Sequence, residues 1–111
     1  MIDRVKVNED RLNESLLSIK ELDRALKQFK SNKKNVDLVN KYYGSKGWFK
    51  DRDIFEKENI TDVRCGVLSE DSVWNMNEDI KDLIVDMEEI IKIYSKWGVI
   101  WQLLKIIEIL F

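Results

Sequence analysis

Histidine and proline are absent from the 111 residues, cysteine occurs once and glycine four times. Each shortage excludes something. Without histidine the chain lacks the usual general base and the commonest metal ligand, so any catalysis would fall to carboxylates, Lys, Tyr or Cys. The expectation is therefore no enzyme, no metal and no cofactor. Without proline nothing forbids long helices. The lone Cys65 cannot form an internal disulfide, which favours a reducing, cytoplasmic setting. The N-terminal MIDRVKVNEDR has no apolar leader core. No run of about 20 apolar residues exists, so no membrane span is expected.

What is present points to one small helical domain, residues 1–111, with room for one modest core. The hydrophobic fraction of 44% is ordinary for a globular chain and argues against wholesale disorder. The chain is also rich in Ile, Lys and Asn, a bias typical of AT-rich coding sequence and suited to a low-GC bacterium, a mobile element or a phage.

Helical spacing organises most of the chain. Leu12, Leu16, Ile19, Leu22, Leu26 and Phe29 recur every three or four residues, which predicts an amphipathic helix from about residue 9 to about 31. The polar run 31–35 reads either as a turn or as a solvated patch on a continuing helix. Val36, Val39 and Tyr43 resume the spacing, and Gly44 supplies a stop. Trp48, Phe49, Ile54 and Phe55 mark a brief helix between Gly47 and Asn59. Ser69 then reads as an N-cap, with Glu70 and Asp71 in the positive first turn. Leu68 and Val73 stand at the two positions of a hydrophobic staple. From Val73 an apolar stripe (Met76, Ile80, Leu83, Ile84, Met87, Ile90, Ile91, Tyr94) runs to about Lys96, where Gly98 breaks or bends it. The predicted fold is all-α: a small bundle with two long antiparallel helices, a short helical insertion and a hydrophobic C-terminal helix.

Two blocks in the middle carry a family resemblance. Tyr42, Tyr43, Gly44, Ser45 and Trp48 form YYGS-x-x-W; Gly66, Val67, Leu68, Ser69, Glu70, Asp71 and Val73 form GVLSED-x-V. The chain resembles, over about two-thirds of its length, a bacterial family known as domain of unknown function 4298. The resemblance implies a small helical domain and no assigned activity. On physical grounds the second block is a helix-start signature rather than an active site. The aromatics Tyr42, Tyr43, Trp48, Phe49 and Trp74 read as a packed corner, and Cys65, beside Arg64, as a quiet, partly buried thiol.

Charge is distributed in two blocs. Residues 20–52 hold ten Lys and Arg against four acids; residues 69–91 hold eight acids against Lys81. In the basic half, Lys20, Arg24, Lys27, Lys30 and Lys34 could track a phosphate backbone. Glu21, Asp23 and Asp37 interrupt them and the pI is about 5.3, so no nucleic-acid partner is expected. In the acidic half, Glu78, Asp82, Asp86 and Glu89 are spaced four, four and three, with Asp79 beside them. They share a face opposite the apolar stripe and repel one another, at roughly 0.2–0.5 kcal/mol per pair. A stripe of one sign suits a basic protein partner.

The tail, VIWQLLKIIEILF from Val99 to Phe111, has ten apolar residues in 13, with Gln102, Lys105 and Glu108 as a narrow polar stripe. It is too short to span a membrane. It completes the core, pairs across a homodimer or docks on a partner, with Trp101, Leu104, Ile107 and Phe111 as its candidate contacts; a fourth fate, an interfacial membrane helix, is disfavoured by a single lysine and no basic face. The leading expectation is a non-enzymatic protein-binding module: an immunity protein that neutralises a toxin domain through Glu78, Asp79, Asp82, Asp86 and Glu89. The alternatives are a phage or mobile-element inhibitor of a host enzyme, and a structural or regulatory homodimer held by the C-terminal helix.

Overall fold

The computed structural model describes residues 1–97 and 99–110, without the side chains of residues 96, 97, 99–101 and 103. The chain is all-α. Among the described residues five α-helices follow in order: α1 (Ile2–Ser31), α2 (Lys33–Tyr42), α3 (Lys46–Lys57), α4 (Glu70–Trp97) and α5 (Val99–Leu110), with a 3₁₀ turn at Gly66–Leu68. The chain divides into two compact units, Met1–Trp48 and Phe49–Phe111.

In the first unit, α1 begins at Ile2, well before the first residue of the apolar stripe. No Gly or Pro interrupts residues 2–11, and Asp3 lies in the positive first turn. The polar run that follows Phe29 resolves into a one-residue joint. Asn32 keeps helical torsions (φ −83°, ψ −4°), and Asn35 donates from Nδ2 to Asn32 Oδ1 at 2.8 Å. A short polar side chain that bonds to its neighbour competes with the helix ladder, and that competition separates α1 from α2.

The YYGS-x-x-W block is a helix-to-helix corner. Gly44 adopts φ +74°, Ser45 N–H donates to Tyr42 O at 3.0 Å, and Ser45 Oγ accepts the N–H of Trp48 at 3.2 Å. Ser45 is thus the N-cap of α3 with its bond to the third helical residue. The Tyr43 and Trp48 rings meet edge to face, with centroids 5.2 Å apart. The corner accounts for Gly44, Ser45, Tyr43 and Trp48 without any ligand. A Cβ at Gly44 would meet nothing within 4 Å, so Gly44→Ala costs only the strain of a left-handed alanine, about 1 kcal/mol. Urea denaturation of the variant is expected to show that loss, with Gly44→Asn losing less.

In the second unit, α3 ends in a Schellman turn. Asn59 sits at φ +48° and Ile60 N–H donates to Phe55 O at 3.3 Å. Asn59→Gly removes the Cβ penalty at that position and is expected to raise the urea midpoint slightly, whereas Asn59→Val lowers it by more than about 1 kcal/mol equivalent. Ser69 is extended (φ −75°, ψ 137°) and its Oγ accepts the N–H of Asp71 at 3.2 Å, capping α4. Arg52 of α3 donates to Glu70 Oε1 at 2.9 Å, which ties α3 to the first turn of α4. That hydrogen bond holds the Arg52 guanidinium above its ordinary pKa.

Burial is sparse. Trp48 (3% exposed), Val73 (3%) and Leu68 (9%) are the buried apolar side chains among the described residues. Leu68 and Val73 are the two staple positions, so the helix-start reading of that block holds in packing as well as in capping. Two expectations require correction. Phe49 and Trp74 are exposed, not packed in a corner, because each lies next in sequence to a buried residue and a helix turns it away from its neighbour's direction. Cys65 is exposed, since it sits in the irregular segment before the 3₁₀ turn rather than on a packed face. Gly98, expected to bend the long helix, lies outside the described residues.

Candidate functional site

The candidate partner face is built by α4 alone, so helical geometry fixes it. Glu70 and Asp71 at the capped start favour the helix dipole, and the 28-residue helix continues past them without a Gly or Pro. Glu78, Asp79, Asp82, Asp86 and Glu89 all fall on it, and their spacing aligns them over about 16 Å at 1.5 Å per residue. Asp79, Asp82, Asp86 and Glu89 are exposed and Glu78 is half-buried. None of the five makes an ion pair among the described residues. The stripe is a row of hydrated carboxylates on a convex surface. Its mutual repulsion is relieved only by solvent and salt, or by a cationic partner.

Such a surface suits electrostatic docking. Among the described residues no group of three or more Asp, Glu or Cys is placed to share a metal ion. The opposite side of α4 carries the apolar stripe: Val73 is buried, Met76, Ile80 and Met87 are half-buried, and Leu83, Ile84, Ile90, Ile91 and Tyr94 are exposed.

The basic residues are arranged differently. Lys27 bonds Asp23 at 2.8 Å and Lys33 bonds Asp37 at 2.7 Å, both one helical turn apart and both exposed. These pairs contribute little to stability, about 0.3–0.5 kcal/mol each. They place a carboxylate beside Lys27 and beside Lys33, so acids interrupt the basic half, which stays net positive.

α5 contacts α4. Of the tail residues expected to make contacts, Leu104 and Ile107 are exposed. Phe111 and the side chain of Trp101 lie outside the described residues. A shallow concavity in the second unit is lined by Arg52, Phe55, Glu56, Ile60, Cys65 and Leu68 with Ser69. Sequence reasoning missed this grouping, and also the Arg52–Glu70 link, because an 18-residue separation leaves no periodic signal. The Ser45 cap was legible in principle from its place three residues before Trp48.

The fold and this surface define a small all-α domain with an unpaired acidic helix face. The chain belongs to a family described as Domain of unknown function (DUF4298), which matches residues 5–94. No curated protein and no solved structure matches it.

Proposed function

We propose that this chain is a non-enzymatic protein-binding module, an immunity protein that neutralises a basic toxin domain through the acidic face of α4. The observation that carries the reading is the row of five carboxylates, four of them exposed, with no ion pair among the described residues. A domain that cleaves nucleic acid needs a cationic cleft for its substrate. A rigid anionic helix about 16 Å along its stripe competes for such a cleft and is steered into it by the long-range field. Small size and the absence of histidine support binding over catalysis. The lone, exposed Cys65 supports a cytoplasmic site of action.

The test is a growth assay. Proteins captured on the chain from its native cells are identified, and each basic candidate is expressed with and without it. The reading requires one candidate that arrests growth alone and is silenced by the wild-type chain. If no captured protein is toxic, the immunity reading is lost. If a toxic one is silenced equally by a chain with its α4 stripe neutralised, the assigned surface is wrong.

A further inference from the structure

The most conspicuous feature left unused by the acidic face lies on α1. None of its residues is buried, and its apolar stripe stands 36% exposed at Leu26 to 64% exposed at Ile19. The stripe also has a stricter period than an ordinary amphipathic helix. Val5, Leu12, Ile19 and Leu26 are seven apart, as are Leu22 and Phe29, three residues after Ile19 and Leu26. A seven-residue repeat drifts by about 20° per heptad on a straight helix and is used fully only when two helices supercoil. A shallow concavity on this helix is lined by Met1, Arg4, Val5, Asn8, Glu9 and Leu12. Those positions form two successive four-residue holes of the kind that accept a knob from a facing helix.

We propose that this seam is the contact surface for a second copy of the chain, α1 against α1, parallel and in register. Three features choose this occupant. Helix α1 carries seven Lys and Arg against six acids, so each copy brings a net charge of only +1 and their mutual repulsion is small. The residues flanking the seam make one attractive pair, Arg4 with Glu9 of the other copy, and no like-charged pair in the parallel register. The two polar seam positions, Asn8 and Ser15, face their own counterparts in that register; an antiparallel pairing along the full helix sets Asn8 against Leu26 and Ser15 against Ile19. Both are already satisfied within their own helix. Asn8 Nδ2 donates to Arg4 O at 2.8 Å and Ser15 Oγ donates to Arg11 O at 2.7 Å. Their presence in the seam therefore leaves no bare polar group.

The test uses the full chain. Sedimentation over about a hundredfold range of concentration is expected to give twice the 13.3 kDa chain mass at the upper end. Ile19→Glu with Leu26→Glu is expected to weaken dimerisation by at least about a hundredfold, through two unpaired charges in each seam. A second experiment leaves the seam largely apolar and so separates loss of partner from loss of helix. In a Cys65→Ser background, Leu22→Cys is expected to oxidise to a covalent dimer, and Arg24→Cys, on the outer side of α1, is not. A monomer at every concentration overturns the proposal. So does equal cross-linking at the two cysteines, or a dimer lost with Leu104→Lys and Ile107→Lys on α5 but kept in the α1 variant.

Discussion

Trp48→Ala is expected to cost about 3–5 kcal/mol and to leave the chain largely without fixed tertiary structure at room temperature. The total stability of a domain this size is only about 5–15 kcal/mol, and Trp48 is one of three buried apolar side chains described. It is also the largest of them. The ring meets Tyr43 edge to face, and the backbone N–H carries the Ser45 cap. Truncation removes the ring contact and opens a cavity that so sparse a core cannot refill. Near-UV circular dichroism with urea titration checks this. Trp48→Phe keeps an aromatic edge for Tyr43 and is expected to lose much less, about 1–2 kcal/mol. Equal losses in the two variants would show that ring size and packing at this corner are not what stabilises it.

The acidic stripe gives the second large effect, with function and stability moving in opposite directions. Asp82 lies four residues from both Glu78 and Asp86. Asp82→Lys replaces two repulsive pairs by two attractive ones and a poor helix former by a good one. The chain is expected to gain about 1 kcal/mol by urea denaturation. Adding Glu89→Lys takes the five-residue stripe from five negative charges to a net of one. Each reversal removes an attraction to a cationic partner and adds a repulsion. Together they are expected to weaken binding of the neutralised toxin roughly 10²- to 10³-fold, measured by titration calorimetry. A variant that folds better and binds worse separates surface from scaffold. A charge-reversed chain that binds as well as the wild type removes α4 from the interface.

The parts of the fold legible in the sequence are those governed by local rules. Ser69 with Glu70 and Asp71, flanked by Leu68 and Val73, combines a cap, a dipole and a staple within six residues, and the helix starts there. Gly44 announces its turn because a left-handed backbone strongly favours glycine. Asn59 takes the same region of torsion space, yet asparagine also stands at the joint before α2 and in mid-helix, so its identity alone does not mark a helix end. The start of α1 is not legible because the close apolar spacing begins at Leu12; before it Val5 alone stands on the stripe, although residues 2–11 are helical. The α4 carboxylates share one face because helical spacing requires it. Their exposure was not legible, since it depends on what covers them and not on their spacing.

The central claim, that the α4 stripe steers a cationic partner, is tested most directly by the ionic-strength dependence of the association rate. Stopped-flow mixing of the wild-type chain with the growth-arresting protein is expected to show fast association at low salt. The rate should fall steeply toward physiological salt as the screening length shortens to about 8 Å, with the dissociation rate nearly unchanged. An association rate that stays constant across the salt series would contradict the account and assign recognition to the apolar surfaces instead.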